Sequence, residues 1–155
     1  MPKFAKGSKI NCYKTREQLE KCLKGYGCEV VVTNDANGKG TLFVGWTFGG
    51  LPYRFEIPMP DRKDYERTEV TGDLRSQELT DKFHEQAARQ YWRLAKEYIY
   101  MHMEFLEVTG CEFHEAFAPL LVTKSGDNVW QLAAVKAREI GKEGGDLLAL
   151  MGPKE

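Results

Sequence analysis

No stretch of this sequence approaches the ~20 consecutive apolar residues needed to cross a bilayer. The opening MPKFAKGSKI has no apolar core of a secretion signal. A cytoplasmic chain with no membrane partner is therefore expected. Its four cysteines, Cys12, Cys22, Cys28 and Cys111, form no CxxC pair. In that compartment they read as reduced, small core residues.

Signatures of chemistry are equally scarce. There is no GxxxxGK[ST], and no GxGxxG between a strand and a helix, so no phosphate cradle is expected. GxSxG is absent, and no cysteine has a recognisable histidine partner motif, which removes support for a nucleophilic enzyme. The histidines are only three, His84, His102 and His114. His84 and His102 would lie roughly 27 Å apart along one straight helix and cannot share a metal there. His114-Glu115 lacks an HExxH frame. No metal and no cofactor are expected. The cluster Asp61, Asp64, Glu66, Glu69 and Asp73 suits a solvated loop better than a magnesium site, and no Glu-x-Lys follows Pro60-Asp61 as in metal-dependent nucleases. The formal net charge of −1 argues against a protein that coats nucleic acid, but not against a local patch.

What is present is one long helix signal. Ser76 to Val108 contains no Gly and no Pro, and Thr109-Gly110 closes it. Phe83, Ala87, Tyr91, Leu94, Tyr98, Met101, Phe105 and Val108 recur at spacings of three and four, which predicts a buried stripe. Trp92, Ile99 and Leu106 form a second stripe beside it. The apolar arc is then roughly 200° wide, more than the ~100° of a helix buried on one side. Two covers are expected: the chain's own sheet, and either its C-terminal segment or a second subunit. An unbroken helix of this length would run about 50 Å, against a radius of gyration of about 15 Å for such a chain. It should kink, break or project, with Tyr98 to Met103 the weakest part by helix propensity.

The remaining face carries Lys82, Gln86, Arg89, Arg93 and Lys96. It is read either as a ridge for phosphates or as a solvated face with i,i+4 ion pairs such as Glu78 to Lys82. Residues 1 to 24 add Lys3, Lys6, Lys9, Lys14, Arg16, Lys21 and Lys24 against Glu17 and Glu20. That is either a basic arm or a solubilising terminus.

Upstream, Ser8 to Tyr13 reads as a short strand. Thr15 with Gln18 forms a capping box opening a helix whose buried face is Leu19, Cys22, Leu23 and Tyr26, stopped by Gly25 and Gly27. Strands are predicted at Cys28 to Thr33, Thr41 to Phe48 and Leu51 to Ile57. Asn37-Gly38 and Gly49-Gly50 supply the turns, and Pro52 marks an edge. Asp61 to Arg75 reads as a charged crossing loop. Glu112 to Phe117 reads as a short helix, and Trp130 to Ile140 as a last one burying Leu132, Val135 and Ile140. Asp146 to Met151 is apolar enough to tuck back onto the core.

The expected fold is α+β: an antiparallel three- to four-stranded meander packed on one long helix, with a short N-terminal helix and a C-terminal helical segment, in a single domain over 1–155. Helix, three strands, helix is also the order of double-stranded-RNA-binding domains, but Ser76 to Lys82 lacks the lysine cluster that opens their second helix. Strand aromatics Phe43, Trp46, Phe48, Tyr53 and Phe55 divide between the two faces by parity, so at least half are expected in the core rather than on a base-stacking platform.

Met1-Pro-Lys-Phe-Ala-Lys-Gly7, Pro58-Met-Pro-Asp61, Glu85-Gln-Ala-Ala-Arg-Gln-Tyr-Trp-Arg-Leu94 and Glu112-Phe-His-Glu-Ala-Phe117 together resemble, in the same order, a family of small uncharacterised proteins of tailed phages, prophages and related mobile elements. The resemblance implies a phage-type cytoplasmic protein, with an association to DNA replication and recombination. It carries over no catalytic residue.

Three functions follow as expectations. The first is a non-enzymatic accessory of nucleic-acid metabolism that binds DNA or RNA through Lys3, Lys6, Lys9, Lys82, Arg89, Arg93 and Lys96. The second is a protein-interaction module, oligomeric or directed at a host (defence) factor, with Trp92, Ile99 and Leu106 as its interface. The third, ranked well below, is a metal-dependent enzyme using the acidic loop.

Overall fold

The computed structural model describes residues 9–34 and 40–143. The order is α1 (Cys12–Gly25), β1 (Val31–Asn34), β2 (Thr41–Phe48), β3 (Leu51–Pro58), a 3-10 turn (Arg62–Tyr65), α2 (Gln77–Thr109), α3 (Phe113–Phe117), a second 3-10 turn (Ala118–Leu120) and α4 (Val129–Glu143). The strands form one antiparallel sheet in the order β1-β2-β3. The fold is the α+β arrangement expected, with three strands among the described residues.

The strand expected at residues 8–13 is not formed by its described part. Asn11 caps α1 instead, its side-chain oxygen accepting from the Lys14 N–H at 2.8 Å. This satisfies a first-turn donor and starts the helix ahead of Thr15. Thr15 is then an interior, buried residue whose hydroxyl donates to the Asn11 carbonyl. The expected turn at Asn37-Gly38 and the segment Asp146–Met151 lie outside the described residues.

β2 and β3 are joined by Gly49-Gly50, with φ of 56° and 76°. Two successive positive φ values match the right-handed strand twist and require residues without Cβ strain. Leu42, Val44 and Trp46 alternate inward along β2, and Tyr53 follows on β3. They join Leu19 and Leu23 of α1, Trp92, Ala95, Ile99 and Met103 of α2, and Phe113, Phe117 and Leu120 in one core.

α2 is helical throughout, with no break at Tyr98 to Met103. Ser76 caps it by accepting from the Leu79 N–H, and Gly110, at φ 70°, closes it by donating to the Leu106 carbonyl. Its orientation about its own axis overturns one expectation. The buried residues are Thr80, Ala87, Trp92, Ala95, Lys96, Ile99 and Met103, whereas Phe83, Leu94, Tyr98, Met101, Phe105 and Val108 are exposed. Trp92 and Ile99, read as a partner surface, are fully buried in the chain's own core, and Leu106 is partly buried against it. The apolar arc is wider than sheet and α1 together can cover. They cover the Trp92 side.

Residues 61–75 are not a structureless crossing. Asp61 caps the 3-10 turn by accepting from the Lys63 N–H, and Arg67 and Leu74 form an isolated bridge. Arg75 donates to the Tyr65 and Arg67 carbonyls, at 2.8 and 2.6 Å. The segment lies on the start of α2. Arg62 meets Asp81 at 2.6 Å, His84 bonds the Pro60 carbonyl at 3.0 Å, and the Arg75 guanidinium sits 4.5 Å above the Phe83 ring.

α4 begins with a reciprocal cap: the Asn128 N–H donates to Gln131 Oε1, and the Gln131 N–H to Asn128 Oδ1. Arg54 of β3 anchors this end by donating to the Gly126 carbonyl at 2.7 Å. Leu132 and Val135, expected in the core, are exposed; among the described residues α4 is tied to β3 at its start, through Arg54 and Gln131. Ile140 lies outside the residues whose side chains are described. Among the described residues no helix is long and apolar enough to cross a membrane.

Candidate functional site

The basic ridge does not survive as a continuous surface. Lys96 is buried: its ammonium donates to Gln18 Oε1 at 3.1 Å, lies 3.7 Å from Glu97 and sits 5.1 Å from the Tyr100 ring. Tyr100 in turn donates to the Gln18 carbonyl at 3.0 Å. α1 therefore rests on this part of the ridge. Lys96 ties two helices together through its desolvated stem and satisfied head. Arg93 is half-buried and paired with Glu97 at 2.8 Å, and half-buried Arg89 donates to Gln86 at 3.0 Å. Lys82 and Lys9 are exposed. Lys3 and Lys6 lie outside the described residues.

A cation that was read only as part of the arm has a defined position. Arg16 of α1 donates to the Thr33 carbonyl at 2.8 Å and to its hydroxyl at 3.2 Å, and its guanidinium lies 5.2 Å from the Trp92 ring. Glu20 accepts from the Thr33 hydroxyl at 2.8 Å. Arg16 thus fastens α1 to β1 and packs on Trp92.

The site that the fold does build is a groove of about 640 Å³ between α2 and β3. Phe55, Ile57 and Pro58 form one wall, and Tyr91, Leu94, Ala95, Tyr98, Met101 and His102 the other, with Glu97 at the rim. Phe55 and Tyr98 stack across it. Burial pushes the Tyr98 phenol above its ordinary pKa, so it stays protonated. His102 Nδ1 lies 2.8 Å from the Tyr98 carbonyl. A carbonyl only accepts, so the proton is on Nδ1 and Nε2 is left for another partner.

β3 is the edge of the sheet on this side. Because Phe48 and Leu51 close the hairpin, Pro52, Arg54, Glu56 and Pro58 turn their backbone groups outward. The Pro52 carbonyl is taken by the Val122 N–H at 2.8 Å. The two prolines have no N–H to offer, so the edge resists adding another strand. The groove consequently offers apolar side chains rather than a backbone ladder.

Among the described residues, no three His, Cys, Asp or Glu side chains converge to hold a metal ion. Asp61 is engaged in capping and Glu66 is 3.5 Å from Arg62. The cysteines are free thiols, and burial, with a smaller contribution from Cys22, pushes Cys28 up to about 12. Cys22 is also raised, first by its own burial and then by Glu107. Neither is primed as a nucleophile. Trp46 and Tyr53, read as possible stacking surfaces, are core residues, stacked on each other at 5.9 Å.

Comparison with protein-family models, with curated proteins and with solved structures found no match.

Proposed function

We propose that this protein is a protein-interaction module whose working surface is the α2–β3 groove and the bare stripe that continues from it. One observation carries this reading. Residues 61–75 lie against the first turns of α2, where Arg62 meets Asp81 and Arg75 packs on a still exposed Phe83, and Leu94, Tyr98, Met101, Phe105 and Val108 are exposed further along. Monomers rarely leave contiguous apolar patches beyond about 300–600 Å² uncovered, and such patches mark contact sites. As a phage-type protein, it would act in the host cytoplasm on a protein partner.

The second reading is nucleic-acid binding. Exposed Lys9, Lys14, Lys21 and Lys24 on and before α1 continue the arm that contains Lys3 and Lys6, although Glu17 pairs with Lys21 at 3.0 Å. This moves the candidate phosphate contacts from the α2 ridge to the exposed side of α1.

Charge insertions separate the two. Tagged full-length chain carrying Met101→Glu should lose its complex in cell extract, read as apparent mass by size exclusion. Lys14→Glu with Lys24→Glu should keep it. Loss only in the lysine variant, with oligonucleotide affinity that falls steeply between ~50 and 200 mM salt, would overturn the first reading in favour of the second.

A further inference from the structure

Resting on the protein-recognition reading, we infer that the α2–β3 groove takes a basic amphipathic helix of a partner protein. Charge is unevenly spread along α2. Its first half carries Lys82, Arg89, Arg93 and Lys96. From residue 97 to residue 123 there is no Lys or Arg, while Glu97, Glu104, Glu107, Glu112 and Glu115 all fall there. The exposed apolar residues Met101, Phe105 and Val108 lie in that same stretch. Glu97 and Glu104 stand four and three residues from Met101, so they border it on the helix surface. A helix C-terminus carries partial negative charge and normally gathers cations. The last turn of α2 holds no basic residue.

The chain's own cations do not cancel this row. Glu97 is held by Arg93 and Lys96, and Glu107 accepts from Tyr26. Glu104, Glu112 and Glu115 are exposed and have no ion pair among the described residues. α3, which begins after Glu112 and contains Glu115, packs beside the groove: the Phe117 ring lies 5.2 Å from that of His102. Negative charge therefore runs along one flank of the apolar stripe and continues on the element beside it. Such a border repels phosphates and a second copy laid face to face, and attracts Lys and Arg. The form of the occupant follows from the wall opposite. The β3 edge lacks N–H groups at Pro52 and Pro58, so it gives an extended peptide no continuous ladder. A helix satisfies its own backbone and docks by side chains alone. Apolar residues spaced by three and four would enter the groove, where the pliable Met101 adapts to them. Lys or Arg beside them would meet Glu104 and the ring face of Phe105.

Fluorescence anisotropy with model peptides tests this on the full chain. The probes are a labelled amphipathic helix of leucine and lysine, its counterpart with glutamate in place of lysine, and a lysine peptide of the same composition with the leucines scattered around the helix. The amphipathic lysine peptide should bind about tenfold more tightly than either control, and less tightly as salt rises from ~50 to 200 mM. Glu104→Lys with Glu112→Lys should weaken it about tenfold, and so should Phe105→Ser. All three positions are exposed, and circular dichroism checks the fold. Equal binding of the lysine and glutamate helices would overturn selection by charge. Loss in the glutamate variant without loss in Phe105→Ser would overturn docking in the groove. No peptide binding, with the extract complex still sensitive to Met101→Glu, would overturn the basic helix and leave protein recognition standing. No peptide binding and no sensitive complex would overturn both.

Discussion

The Phe55 ring of β3 lies flat against the Tyr98 ring of α2, with centroids 4.7 Å apart and planes 13° from parallel. This pair joins sheet and helix at the mouth of the groove, so it both supports the wall and sets its width. Tyr98→Ala should lower stability by about 1–2 kcal/mol, from lost stacking and partial burial. Urea denaturation would show it, and Tyr98→Phe should recover most of the loss.

Trp92 and Met101 lie on the same helix at opposite ends of the exposure scale, 0% and 66%. Trp92→Ala should cost about 3–5 kcal/mol. Met101→Ala should stay within about 0.5 kcal/mol. Equal losses at the two positions would mean that α2 is rotated about its axis from the orientation described.

Lys96 should behave as a structural residue. Lys96→Ala removes the bond to Gln18 and the packing of a buried stem, and should lower stability by about 1–3 kcal/mol. Its effect on oligonucleotide affinity should be nil once the folded fraction is corrected for. A drop in the salt slope of binding by about one would return Lys96 to a phosphate contact.

Burial pushes the Cys28 thiol up to about 12, well above its ordinary value of 9.0. Between these values the folded state holds the proton more tightly than the unfolded one, so stability present below pH 9 declines as pH rises. Thermal melts at pH 7.5 and 10.5 should show this decline. The Cys28→Ala variant should show a shallower one, because buried tyrosines such as Tyr53 and Tyr98 still contribute.

Much of the frame was legible because local rules decide it. Gly49-Gly50 marks the hairpin, Ser76 and Gly110 bracket α2, and Glu112 precedes α3. The start of α1 was misplaced by a few residues because Thr15 was read as the cap, whereas Asn11 accepts from the Lys14 N–H and starts the helix earlier. Lys96 was misread because charge suggests solvent. Only the approach of Gln18 and Tyr100 shows that its ammonium is satisfied inside.

The sequence by itself determined that one uninterrupted helix would carry more apolar surface than one sheet can cover, and that the strands before it form an α+β domain with it. Both follow from periodicity and turn chemistry, which act over a few residues. Which stripe of α2 faced the core was decided by tertiary structure alone. Two stripes of comparable hydrophobicity compete for one cover, and rotating the helix exchanges them at little local difference. The balance is tipped by contacts far apart in the chain: Arg16 over Trp92, Gln18 on Lys96, and residues 61–75 over the first turns of α2. The stripe left outside is the surface on which the proposed function rests.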